Sequence, residues 1–177
     1  MREATAHLID AGCTRIAFVA GPSTTSTGER RLAGYRAAVR AAGSRQQSPR
    51  VIRGDFRVHG GYAATRELLM GWDVPDGLLV SNNLMTIGAL QAVGELGVRL
   101  PEDLLLVGFD GFSWARALAP TVTVVEQPTY EIGQRAATLL LDRIRGKHGP
   151  PRKVVLPGEL QVGDSSRPVD RAGDRVR

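Results

Sequence analysis

A chain of 177 residues with 42% hydrophobic content supports one domain with a sizeable core. No apolar run approaches the ~20 residues of a membrane helix, the start MREATAHLIDAG is too polar for a secretory signal, and the single Cys13 excludes an internal disulfide. A cytoplasmic protein with no membrane contact is expected. The net charge is +5, carried almost entirely by Arg, with Lys147 and Lys153 the only lysines. Between Arg30 and Arg57 the only acid is Asp55. That stretch lacks the interleaved aromatics of single-strand binders, and the chain has no helix-turn-helix or zinc pattern. The charge therefore reads as a solvated Arg-rich surface.

The elements follow in chain order. Residues 2–12 predict a helix with Ala4, Leu8 and Ile9 on one face and Gly12 as its stop. Cys13 reads as buried filler. RIAFVA, at 15–20, is a short apolar run that predicts a buried strand. The polar loop GPSTTSTG follows, and the capping-box pattern Ser26-x-x-Glu29 opens a helix at about 29–42 with Leu32, Tyr35, Ala38 and Val39 inward. A strand at 50–53 leads through the turn Gly54-Asp55 to a helix at about 58–71, with Tyr62, Leu68 and Leu69 inward. Leu78–Val80 predicts a strand and Asn83 a helix cap. A helix over 84–96 carries Ile87, Leu90, Val93 and Leu96 at helical spacing, and Gly97 ends it. Pro101-Glu102-Asp103 turns into the strand LLLVGF, and Val122–Val125 predicts another. Residues 130–146 predict a strong helix with Ile132, Ala136, Leu139, Leu140 and Ile144 aligned. KVVLPGELQV, at 153–162, reads as two short strands broken at Pro157-Gly158, and the polar tail from Asp164 as disordered. Strands alternating with helices at short spacing predict an α/β fold: a doubly wound parallel sheet with helices on both faces.

Catalytic signals are missing. There is no G-x-S-x-G elbow, no phosphate loop ending in Gly-Lys-Ser/Thr and no G-x-G-x-x-G. His7, His59 and His148 are far apart and lack paired ligand spacing, so no metal is expected. Asp55 sits where Asp caps a helix, and no acid–base pair stands out. No enzyme and no cofactor are expected. Polar and aromatic residues instead mark the strand ends: Arg31, placed in the first turn of the helix after the first strand, then Phe56, Asn82, Asp110 and Gln127. A doubly wound sheet gathers such residues on one edge. A carboxylate accepts hydroxyl hydrogen bonds, two amides donate and accept, a guanidinium donates a planar fork, and a ring offers a flat apolar face. Together they form a polyol-binding set. Each also has a plainer reading: Asn82 as a helix cap, Arg31 paired with Glu29 or solvent, Phe56 in the core, Asp110 on turn amides. Their recurrence at successive strand ends favours a ligand.

HLIDAGCTRIAFVAGP, ERRLAGYRAAVRAAG, VIRGDFRVHGGYAAT, SNNLMTIGALQAVGELGVRLPEDLLLVGFDG and PTVTVVEQPTYEIGQRAATLLL are similar to the effector-binding region of LacI/GalR-type transcriptional repressors, over about residues 3–166. The resemblance implies a two-lobed fold like that of type I periplasmic binding proteins. This chain would supply one lobe plus a C-terminal piece of the second: a domain over 1–163, with 1–126 one lobe, 127–163 crossover elements belonging to the partner lobe, and 164–177 a tail. It also implies a small-molecule effector, a sugar or sugar derivative, bound by Arg31, Phe56, Asn82, Asp110 and Gln127. Homodimerisation is implied, as is operator DNA binding only through an N-terminal helix-turn-helix outside this chain. The rival from the transport class is a sugar receptor of an ABC transporter. This chain departs from the family at Asn82-Asn83, where Asn-Asp is usual, at Thr86, where Ala is usual, and at Gly163-Asp164-Ser165-Ser166, where Arg-x-Ser-Thr is frequent. With most of the first lobe absent, the helix at 130–146 is expected to expose Leu139, Leu140 and Ile144.

Overall fold

The computed structural model describes residues 1–47, 49–111, 113–147 and 149–168. In chain order the elements are α1 (Arg2–Asp10), β1 (Ile16–Ala20), α2 (Ser26–Ala42), β2 (Arg50–Arg53), α3 (Val58–Leu69), β3 (Gly77–Val80), α4 (Asn83–Glu95), β4 (Leu105–Phe109), β5 (Thr123–Glu126), α5 (Thr129–Ile144) and β6 (Glu159–Gln161). They form one sheet in the order β2-β1-β3-β4-β5-β6. The first five strands in chain order run parallel, and β6 pairs antiparallel with β5. All five parallel strands therefore end on the same edge. Successive connections leave β1 in opposite directions, which opens a crevice between the ends of β1 and β3.

Strand alternation divides the core into two layers. Phe18, Leu79, Leu105 and Val107 point into the layer under α1 and α2, where Leu8, Leu32 and Tyr35 meet them. Ala17, Val19, Leu78, Val80, Leu104 and Leu106 point into the layer under α3 and α4. Burying each large apolar side chain stabilises the fold by about 1.5–3 kcal/mol. The two helices of the second layer touch backbone to backbone. A Cβ on Gly88 would lie 2.0 Å from the Val58 carbonyl oxygen, so only glycine permits that approach.

Several sequence expectations need correction. Thr25, not Ser26, caps α2: Thr25 is extended (φ −111°, ψ 134°) and its hydroxyl accepts from the Gly28 N–H. The helix therefore starts at Ser26, and Arg31 lies in its second turn rather than its first. Asn82, not Asn83, caps α4, accepting from the Met85 N–H at 3.0 Å. The buried face of α4 is Met85, Thr86, Gly88, Ala89, Ala92 and Val93, while Ile87, Leu90 and Leu96 are half-buried. That helix is apolar around most of its circumference, so spacing alone placed Val93 correctly but missed the small residues of the buried face. Tyr62 is half-buried and its hydroxyl donates to Glu95 at the surface. Residues 153–158 form no strand; only β6 does. β6 joins this sheet by pairing antiparallel with β5, so residues 159–161 lie on the same sheet as β1 to β5.

The tail expected to be disordered from Asp164 is ordered as far as it is described. Asp164–Ser166 form a short 3₁₀ turn in which Ser165 and Ser166 are fully buried. The Ser165 hydroxyl donates to the Leu106 carbonyl at 2.7 Å and accepts from the Thr123 N–H at 2.9 Å. Ser166 shares hydrogen bonds with Thr123 Oγ1 at 2.6 Å and His7 Nε2 at 2.7 Å. Residues 169–177 and His148 lie outside the described residues.

The bare face expected on α5 is present. No residue of that helix is buried; Leu139 is half-buried, Leu140 is 60% exposed and Ile144 72%. None of the described helices is long and apolar enough to cross a membrane.

Cys13 is buried beside Asp76, and burial, with a smaller contribution from Asp76, pushes its thiol up to about 12. Because the folded value exceeds the unfolded one, this contribution to stability is full below about 8.5, falls as pH rises above that, and is gone by the folded value. At pH 8 the native chain should resist iodoacetamide over hours and react within minutes in denaturant. Rapid native-state alkylation, followed by mass spectrometry, would contradict this burial.

Candidate functional site

The five parallel strands deliver a connected polar cluster to their common edge. Arg31 reaches from α2 across the crevice. One terminal nitrogen donates to the Ser81 carbonyl, just past β3, and lies 3.5 Å from Asp110 Oδ2. The other donates to Asp110 Oδ1 at 3.3 Å, just past β4. Gln127, just past β5, donates its side-chain amide to the same Oδ1. The guanidinium carbon sits 3.8 Å from the centroid of the Phe109 ring. The Arg31 side chain is only 13% exposed and that of Asp110 25%. Burial lowers the Arg31 pKa from its usual value, and Asp110 pulls it back up. An arginine remains charged through any such shift.

Asp110 occupies the left-handed backbone region at φ 67°, where Asp is tolerated better than most residues. Its N–H donates to the Val125 carbonyl at 3.0 Å, which anchors the turn to β5. Oδ1 accepts from both Arg31 and Gln127, whereas Oδ2 has only the long Arg31 contact among the described residues. Acceptor capacity for hydroxyl hydrogens therefore remains on Oδ2.

Asn82 and Phe56 form a second group. Asn82 Oδ1 caps α4, and its Nδ2 donates to the Phe56 carbonyl at 3.0 Å, tying the β3 end to the turn after β2. Phe56 also has positive φ, 64°, and packs at the margin of the second core layer. Its ring lies so close to β1 that a Cβ on Gly21 would stand 2.1 Å from Cζ. Asp55 Oδ1 accepts from the Arg57 N–H and so stabilises the turn.

All five residues anticipated from sequence thus lie along the edge. Arg31, Asp110 and Gln127 are bonded directly, Asn82 and Phe56 are bonded to each other, and Ser81 adjoins both groups. The plain reading of Asn82 as a helix cap is correct. Arg31 does not pair with Glu29, which is held by Arg53 at 2.7 Å. Thr86, unusual for the resembled family, is buried with its hydroxyl donating to the Asn82 carbonyl at 2.8 Å. Sequence reasoning missed Phe109, the Ser81 carbonyl and Gly21. A signal for Phe109 was available: it continues the alternation of Leu105 and Val107 toward the α1–α2 layer, where Arg31 arises.

No group of three or more potential metal ligands occurs among the described residues. A groove of 300 Å³ beside α5, lined by Leu139, Leu140 and Arg143, belongs to the bare helix face and not to this edge.

Residues 5–166 match the family described as periplasmic binding protein-like domain. The chain belongs to that family. It is 41% identical over 164 residues to the HTH-type transcriptional regulator CelR of Thermobifida fusca, a match covering 93% of this chain and 48% of CelR. Among solved structures, a transcriptional regulator CelR–cellobiose complex superposes with TM-score 0.87 at 40% identity, over 93% of this chain and 50% of that one. A dimeric Lac repressor with a C-terminal deletion superposes with TM-score 0.83 at 28% identity, over 94% and 60%. The chain spans about half the length of the curated relatives it matches.

The Phe56–Gly21 contact gives a direct test of how this family member builds its edge. Gly21→Ala should destabilise the chain by about 1–3 kcal/mol, because the ring must move. In a Phe56→Ala background the same change should cost less than half as much. Equal costs in both backgrounds, from urea unfolding, would show that the contact does not constrain Gly21.

Proposed function

We propose that this chain is the effector-binding lobe of a LacI-type transcriptional regulator and that its effector is a neutral sugar or similar polyol. The observation that carries the reading is the Arg31–Asp110–Gln127 cluster on the carboxyl edge of the sheet, in a chain similar to a regulator whose named complex holds cellobiose. The rival reading as a transport receptor is set aside because the named relatives are transcriptional regulators.

Charge supports neutrality of the ligand. Arg31 is already balanced by Asp110, and Asn82, Gln127 and Phe56 carry no charge. A phosphate or carboxylate approaching Arg31 would also approach Asp110, whose repulsion opposes it. Sugar hydroxyls suffer no such penalty and satisfy Asp110 Oδ2.

In this reading residues 1–126 are one lobe, and the chain leaves it after Gln127 to contribute α5 to a partner lobe before β6 returns. The apolar face of α5 is the surface that the partner lobe covers. The effector closes the crevice between lobes and favours one interlobe geometry. In a cytoplasmic homodimer carrying helix-turn-helix domains, that preference shifts the equilibrium between operator-binding and non-binding forms. Only differential affinity for the two forms transmits the signal.

Titration of the isotope-labelled chain with cellobiose and ribose to tens of millimolar tests the reading by NMR. Shifts should concentrate on the amides of Gly21, Ser81, Asn82, Asp110 and Gln127. Asp110→Ala should weaken them about tenfold or more, as expected for losing a charged acceptor. A sugar that moves the wild-type and Asp110→Ala chains equally removes Asp110 from the site.

A further inference from the structure

We propose that Phe109 is a positioning residue for effector recognition: its ring fixes the plane of the Arg31 guanidinium so that Arg31 and Asp110 present one preformed surface to the ligand. The inference rests on the functional reading above and assigns a role to a residue outside the five anticipated ones.

The hydrogen bonds of Arg31 to Ser81 and Asp110 hold the guanidinium edges. These bonds engage the guanidinium edges, the short one on Ser81 and the two to Asp110 at 3.3 and 3.5 Å, and leave its flat faces without support. The ring 3.8 Å away supplies what they lack, a flat support for one face. Phe109 itself is well anchored. It is the last residue of β4, bonded in register with Val125, and it packs against the first core layer. It immediately precedes Asp110, whose left-handed conformation turns the carboxylate back toward the same guanidinium. One strand end thus provides both the face and the charge that orient Arg31.

An aliphatic side chain would preserve much of the burial, since Leu105 and Val107 already occupy this face of β4. It would not preserve the cation–ring contact. Phe109→Leu therefore separates packing from orientation, and Phe109→Tyr keeps the ring.

The test uses the whole chain and two readouts. The first is the Arg31 Nε–Hε resonance, which needs no ligand. In the wild type it should be displaced upfield by the ring and show contacts to Phe109 ring protons. Phe109→Leu should return it toward the position of a free arginine, and Phe109→Tyr should keep it displaced. The second is cellobiose binding by NMR titration. Affinity should fall about three- to tenfold in Phe109→Leu and stay within twofold of wild type in Phe109→Tyr. An undisplaced wild-type Arg31 signal overturns the proposal, even if Phe109→Leu fails to fold. Equal losses of affinity in the Leu and Tyr variants overturn it as well, since the ring would then not be what matters. If cellobiose and ribose leave the wild-type chain unmoved, the functional reading fails while the Arg31 signal still decides whether Phe109 orients Arg31.

Discussion

The edge of this sheet depends on one ion pair, Arg31 with Asp110. Arg31 crosses from α2 to the ends of β3 and β4, and Gln127 extends the chain of bonds to the end of β5. Both charges are largely removed from water. Each therefore needs the other: removing one partner of a buried pair costs more than the intact pair contributes. The arrangement also explains the strand-end conformations. Positive φ at Asp110 aims its carboxylate at Arg31, and positive φ at Phe56 places its ring over Gly21 while its carbonyl accepts from Asn82. Local strain at these positions is held by contacts from neighbouring strands.

Much of this was legible in the sequence, for a topological reason. Because the five strands are parallel, their carboxyl ends share one edge, which places Phe56, Asn82, Asp110 and Gln127 along it, and Arg31 reaches it from the second turn of α2. What failed was local. Thr25 and Ser26 are both able caps, and only backbone geometry selects Thr25. The face of α4 was hidden because small residues, Gly88 above all, pack against α3 and carry no hydrophobic signature. Asp164–Ser166 looked like a polar tail because composition cannot reveal that Thr123, Leu106 and His7 supply hydrogen-bond partners for two buried serines. Phe109 was overlooked because a strand residue reads as core, yet its ring serves both the core and Arg31.

The molecule is asymmetric in how completely its surfaces are satisfied. α1 to α4 cover the two sheet faces, while α5 buries none of its side chains. In the proposed regulator that asymmetry has a direct meaning. There the polar edge would be one wall of a cleft, with Gln127 where the chain leaves that wall. Gln127 both bonds Asp110 and begins the segment leading to α5, so one residue joins the cluster to the start of the crossover. The segment 75–111 contributes the β3 and β4 ends of the same wall, with Asn82 and Asp110 as its outward groups.

In the proposed regulator, a charge-balanced Arg31–Asp110 pair should recognise uncharged polyols in preference to anions. The most direct measurement is a paired NMR titration of this chain with glucose and with glucose 6-phosphate, followed at the Ser81, Asn82 and Asp110 amides and at moderate salt. Glucose should bind the wild type more tightly than the phosphorylated sugar, with the preference reversed when Asp110→Asn removes the balancing charge. Tighter binding of the phosphorylated sugar by the wild type would contradict it.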